Sequence, residues 1–255
     1  MRKSKTMGKK IVTIFEGIYP LVIYYAIISF VMEGLLHFTV LKEVSYSLPQ
    51  AIAKGICIPA MLYFYHMTSH KSRLGKSSSD KVKAGAFSVI SGAVFCIGLN
   101  YVVELIKLKA YSPTYRRITD AVSSDIFIVQ VLAALIIAPI VEELVFRGIL
   151  FFKLKCALPR VLAVLISAVV FGIAHFNIVQ GVYAFMLGIV FALIFDMTGE
   201  LWTSILAHMA ANTLAFFLPA TPLYKIIESA SIYNHILGIG ALIFGFLLLF
   251  YWKKS

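Results

Sequence analysis

Apolar residues run along this chain in long blocks divided by short polar stretches, and no alternating pattern of strand period is sustained. Eight blocks read as helical spans: 11–32, 49–67, 85–106, 126–152, 161–176, 181–197, 201–218 and 232–252. A helix rises ~1.5 Å per residue, so about 20 apolar residues cross a bilayer core of ~30 Å. The pattern therefore predicts an all-α, polytopic membrane bundle of about eight spans. The fifth to seventh blocks are short and closely joined, whereas the first three and the last are set apart by longer loops. Three regions follow: N-terminal spans and loops over 1–125, a core over 126–218 that holds spans four to seven, and a C-terminal span over 219–255. The stretch 111–125 reads as a short interfacial helix. No internal repeat is visible, which removes support for an inverted-repeat transporter.

Composition agrees with this reading. Of 255 residues 60% are hydrophobic and 14% are charged, where soluble chains carry roughly 25% charge; mean hydropathy is +0.90. The net charge of +11 raises nucleic acid as a partner, but the Lys and Arg residues cluster in short loops and at the ends, as membrane topology requires. With a cytoplasmic N-terminus, 15 Lys and Arg fall on the inner side and 6 on the outer. Both termini are therefore expected in the cytoplasm, with the chain in the cell membrane. The basic first ten residues precede an apolar block too long for the core of a signal peptide, so 11–32 reads as a span. Cys57, Cys96 and Cys156 show no paired spacing and read as small packing residues.

Against this background, the fourth block carries charges that have no cheap place. Glu142, Glu143 and Arg147 stand inside it, and a charge at membrane depth costs at least ~2.5–3.5 kcal/mol. Glu143 and Arg147 are four apart and can pair on one helix face. Glu142 points about 100° away and has no partner on its own helix. Two later blocks carry polar groups at helical spacing: Phe171 with His175, and His208 with Asn212. Blocks four and five form a hairpin that turns at Leu158-Pro159, and Glu142 and His175 are about equally far from that turn. The hairpin predicts that they meet at one level, less a correction for kinking at Pro139. Gly172 and the pair Ala210-Ala211 would permit close helix approach. Glu16, Lys54, Glu104 and Asp196 lie near span ends and read as snorkelling or interfacial. His66 and His70 have ligand spacing but border a basic loop; His37 and His235 read as incidental.

The ordered set Glu142-Glu143-x-x-x-Arg147, Phe171-x-x-x-His175, His208-x-x-x-Asn212 resembles the signature of the CPBP intramembrane proteases. That family includes the CAAX prenyl endopeptidases of the Ras-converting-enzyme type and bacterial proteins of bacteriocin processing and self-immunity. The resemblance covers 126–218. It implies that Glu142 and His175 activate a water, that His208 and Asn212 bind the oxyanion, and that Glu143, Arg147 and Phe171 support the site. Elementary chemistry is compatible with these roles. Amide hydrolysis needs a base for water and donors aimed at the developing oxyanion, and a neutral His and an Asn amide both donate. No Ser or Cys stands where it would complete a nucleophilic triad with these His residues.

No cofactor is favoured, and zinc is the alternative, with Glu142, His175 and His208 as its ligands. Against zinc, the HExxH spacing is absent, Asn212 is a poor ligand, and Glu143, the one spare carboxylate for a supporting role, is taken up by Arg147. The expected partners are a peptide or membrane-protein substrate and the lipid bilayer, without nucleic acid. Two rival readings come from other classes: a proton-coupled transporter using Glu142, Glu143 and His175 as a relay, and a catalytically silent immunity or scaffold protein that keeps the fold.

Overall fold

The computed structural model describes residues 2–38, 45–68, 80–108, 112–114, 117, 120, 125–222, 225 and 232–254. The described residues are helical and turn, without strands. The long helices are α1 (Arg2–Phe38), α2 (Ser47–Met67), α3 (Lys81–Leu105), α4 (Phe127–Ala157), α5 (Arg160–Ile173), α6 (Ile178–Thr198), α7 (Leu201–Phe217) and α8 (Ile232–Lys254). Each corresponds to one predicted block. Six of the eight are long and apolar enough to cross a membrane, which makes this a multi-pass membrane protein. The other two are α2, which carries Lys54 in its middle, and α5, whose 14 residues span ~21 Å, short of the ~30 Å apolar core. Most of the expected interfacial helix over 111–125, and His70, lie outside the described residues.

The fourth block is not a uniform α-helix. Pro139 has no N–H to donate, and its ring crowds the carbonyl one turn earlier. The chain answers by widening into a π-helical stretch over Leu132–Ile137, where the N–H of Ala138 reaches Ala133, five residues back. A short α-turn, Ala138–Glu143, follows, and then a second π stretch over Leu144–Phe151. The kink expected at Pro139 is thus spread over two π segments. Such segments are rare and gather at functional sites. Here they bracket the turn that bears Glu142 and Glu143.

By packing, the chain forms two compact units: Met1–Arg73 with Thr119–Ser167, and Leu74–Ile118 with Ala168–Ser255. The division falls within α5, inside the core expected over 126–218. The carboxylate motif belongs to the first unit and the two histidine motifs to the second. In the first unit, α1 packs on α2 and on the C-terminal half of α4, and α2 runs along α4 from its first turn into its second π stretch. A Lys153–Glu16 ion pair at 2.7 Å joins α4 to α1.

In the second unit α3 is the central helix and packs on α6, α7 and α8. Its core holds Phe87, Phe95, Leu99, Phe191, Ile194 and Ala207, and Phe87 stacks on Trp252 at 4.4 Å. Asp196 is 6% exposed and lies inside this unit, which corrects the expectation that it snorkels. Cys57 and Cys96 are buried free thiols, in keeping with a packing role.

Candidate active site

In the first unit, Glu143 and Arg147 lie one turn apart at the start of the second π stretch. Arg147 Nη1 donates to Glu143 Oε1 at 2.8 Å, and both side chains are wholly buried. An uncompensated charge at this depth would cost several kcal/mol, and the pair removes that penalty internally. Glu142, on the neighbouring face, is 8% exposed. From α2, Lys54 Nζ donates to Glu142 Oε1 at 2.7 Å. This corrects the reading of Lys54 as a snorkelling residue. A cation one helix away from a buried carboxylate does better paired than extended toward water. Tyr24 and Tyr25 of α1 lie close enough to Glu142 to feel its charge.

In the second unit, α5 stops at Ile173, so His175 is not in a helical span as expected but in the turn that leads to α6. Two i,i+3 backbone bonds, His175 to Gly172 and Phe176 to Ile173, tighten the helix end. Phe176 then adopts a left-handed φ of 53°, an uncommon conformation for a bulky residue. Asn177 caps α6 by accepting from the Gln180 N–H at 2.9 Å, while its Nδ2 donates back to the His175 carbonyl at 3.3 Å. The turn is possible because α5 and α6 nearly touch: a Cβ on Gly172 would lie 2.7 Å from the Gly181 carbonyl oxygen. The close approach expected at Gly172 is therefore present, with α6 as the partner.

The shared face expected for Phe171 and His175 survives the helix end. Their rings meet edge-on at 5.0 Å, and His175 Nδ1 lies 2.9 Å from the Phe171 carbonyl oxygen. A carbonyl only accepts, so Nδ1 carries the proton and, in the neutral ring, Nε2 carries the lone pair. Phe171 also stands edge-on to His208 at 5.8 Å. His208 is 4% exposed and stacks on Phe191 at 4.8 Å. One buried ring, Phe171, thus meets both motif histidines. Asn212 lies one turn after His208 on α7 and is half-buried.

The zinc alternative can be tested on the donors. Within either unit, among the described residues, no three His, Cys, Asp or Glu side chains form a ligating cluster. Glu142 Oε1 already faces a cation, Lys54, where a metal would need an open carboxylate. The remaining histidines have other partners or surroundings: His37 pairs with Glu33 at 2.7 Å on the surface, His235 hydrogen-bonds Tyr101 at 2.8 Å, and His66 is exposed.

Sequence reasoning missed Lys54 and Asn177. The signal for Lys54 was present as a lone cation inside an apolar block. Asn177 was an N-cap residue type at the start of the next helix.

Comparison with known proteins bears on these same residues. The family model described as type II CAAX prenyl endopeptidase Rce1-like matches residues 124–214. The curated protein "Putative membrane peptidase YdiL" of Bacillus subtilis (strain 168) is 31% identical over 102 residues, 40% of this chain and 42% of that protein. The chain thus spans about two fifths of the length of the curated relative it matches. No solved structure matches it. All three motifs, from Glu142 to Asn212, fall within the segment that is similar to the Rce1-like family.

Proposed function

We propose that this protein is an intramembrane endopeptidase that hydrolyses a peptide bond with an activated water. The observation that carries the reading is that one protease-family segment encloses every buried polar residue of the three motifs. In this reading Glu142 takes the proton from water, and His175, through Nε2, assists it. His208 and Asn212 donate to the oxyanion of the tetrahedral intermediate, which Asn212 can do from its amide whatever the pH. Glu143, Arg147 and Phe171 hold the arrangement. No metal takes part, a view supported by the Lys54 contact at Glu142 and by an Asn where a zinc site would want a stronger ligand. The substrate is a peptide or membrane protein that reaches the site from the bilayer. Prenylated C-termini, bacteriocin or pheromone leaders and self-immunity targets are the classes to screen. Both termini face the cytoplasm and the chain sits in the cell membrane.

The deciding experiment is Glu142→Gln, assayed on purified, detergent-solubilised protein against a panel of quenched peptides from those classes. Turnover should fall by ~10²-fold or more, as expected for loss of a general base, with insertion and yield intact. Wild-type turnover by the variant would remove Glu142 from the mechanism. Elemental analysis of the active enzyme accompanies it: stoichiometric zinc, with activity lost to phenanthroline and restored by zinc, would replace the metal-free mechanism.

A further inference from the structure

We propose that the basic end of the first unit is a binding surface for an anionic phospholipid. The headgroup phosphate is held by Lys9, Lys10 and Arg160, and the acyl chains lie on the apolar residues beside them. This surface takes no part in the chemistry proposed above.

Packing brings the basic residues to one end. Gly17 of α1 abuts α4, where a Cβ on it would lie 3.0 Å from the Cβ of Lys153. Seven residues further along α1, Tyr24 feels the charge of Glu142, which stands eleven residues before Lys153 on α4. The two helices therefore run antiparallel. Lys9 and Lys10 lie two turns N-terminal to Gly17, ~11 Å along the axis, and so pass beyond Lys153 toward the turn that joins α4 to α5. Lys155 precedes that turn and Arg160 follows it. Lys153 is paired with Glu16 at 2.7 Å. That end of the unit thus carries five cations and one carboxylate. The other carboxylates described in this unit stand elsewhere: Glu142 and Glu143 in the middle of α4, Asp120 and Asp125 before it, and Glu33 near the far end of α1. Lys9, Lys10 and Arg160 are exposed, and among the described residues no ion pair engages Lys9 or Lys10.

The surface next to these cations is apolar. Toward the middle of the helices, Ile11, Val12 and Phe15 on α1 and Val161 and Leu162 on α5 are all exposed. Cations that border exposed apolar residues fit the two halves of a phospholipid. The phosphate meets ammonium and guanidinium groups, and the acyl chains meet the side chains one turn deeper, along which the lysine stems also lie. A soluble polyanion such as nucleic acid would leave the apolar half uncovered. A zwitterionic headgroup brings its own cation, so five positive charges against one negative select a lipid with a net negative charge. This end is also the one expected in the cytoplasm, where the membrane leaflet is anionic.

Native mass spectrometry of the full-length protein in detergent reads the binding directly. Dioleoylphosphatidylglycerol and dioleoylphosphatidylcholine are titrated separately, and bound lipid is counted. Wild type should bind the anionic lipid at least about tenfold more tightly than the zwitterionic one. Lys9→Gln/Lys10→Gln/Arg160→Gln should weaken phosphatidylglycerol binding by roughly 10²-fold, at about fivefold per cation, and leave phosphatidylcholine binding unchanged. Lys9→Arg/Lys10→Arg/Arg160→Lys should keep the wild-type preference. Equal affinity of wild type for the two lipids would overturn the proposal. So would an equal loss when Lys81, Lys83 and Lys253 of the second unit are replaced by Gln instead, because net charge and not this surface would then be responsible. Inorganic phosphate that displaces the lipid at matched concentration would show a plain anion site and overturn it as well. If the triple Gln variant does not fold, Lys10→Gln and Arg160→Gln decide singly. Binding weakened about fivefold in either supports the surface, and no change in both overturns it.

Discussion

Arg147 donates to Glu143 at 2.8 Å with neither side chain exposed to any solvent. The two residues sit at the junction of an α-turn and a π stretch, and their pairing closes the charge balance of the second π stretch from within one helix. Removing either partner leaves an uncompensated charge in an apolar interior. Glu143→Gln or Arg147→Ala should therefore destabilise the protein by about 3–5 kcal/mol and lower activity in step. Thermal unfolding in detergent checks this. Activity lost with an unchanged melting curve would move these residues from support to chemistry.

A second prediction concerns the approach of α3 to α7. A Cβ on Gly92 would press on the Ala207 carbonyl oxygen and lie 2.8 Å from its carbon and 2.9 Å from its Cα. These are backbone atoms of the residue next to His208 and cannot swing aside as a side chain can. Gly92→Ala should cost at least about 1–3 kcal/mol. Gly55→Ala on α2, where nothing lies within 4 Å of the new methyl, should be neutral or gain up to ~1 kcal/mol from helix propensity. Paired melting curves of the two variants test the contrast.

A third prediction is a pH dependence outside the spans. Burial pushes the Asp125 carboxyl upward, but hydrogen bonds from the Ser45 and Ser47 side chains and from the Ile126 and Ser47 N–H groups outweigh it and bring it from 3.8 down to about 2. The Ser47 N–H donates at 2.6 Å and the Ile126 N–H at 2.8 Å. This group is an acid held below its unfolded value, so its stabilisation is complete above pH ~4 and disappears as pH falls from ~4 to ~2. Screening by solvent keeps the effect on the order of 1 kcal/mol. Asp125→Asn should remove that part of the acid sensitivity in a pH series of melting temperatures, and an unaltered series would refute it.

The fourth prediction is topological. With 15 Lys and Arg on one side of the expected spans against 6 on the other, a reporter fused after Ser255 should give a cytoplasmic signal. An external signal would mean that an odd number of helices crosses the membrane.

The sequence by itself determined the class of this protein and the identity of its unusual residues. Blocks of apolar residues can only be helices in a bilayer, because a spanning segment must satisfy its own backbone, so the eight helices could be read from hydropathy. The charges inside block four and the order of the three motifs were equally legible, since each costs energy where it stands and spacing alone puts Glu143 with Arg147 and Phe171 with His175. What hydropathy could not show was pairing between helices far apart in sequence. Lys54 and Glu142 are 88 residues apart, and nothing local distinguishes a cation that snorkels from one that turns inward to a carboxylate. The same holds for the end of α5 before His175, which depends on how closely Gly172 meets Gly181, and for Phe171 and Phe191 as the rings that hold His208. Sequence periodicity reports the face of a helix; only tertiary packing decides what that face meets.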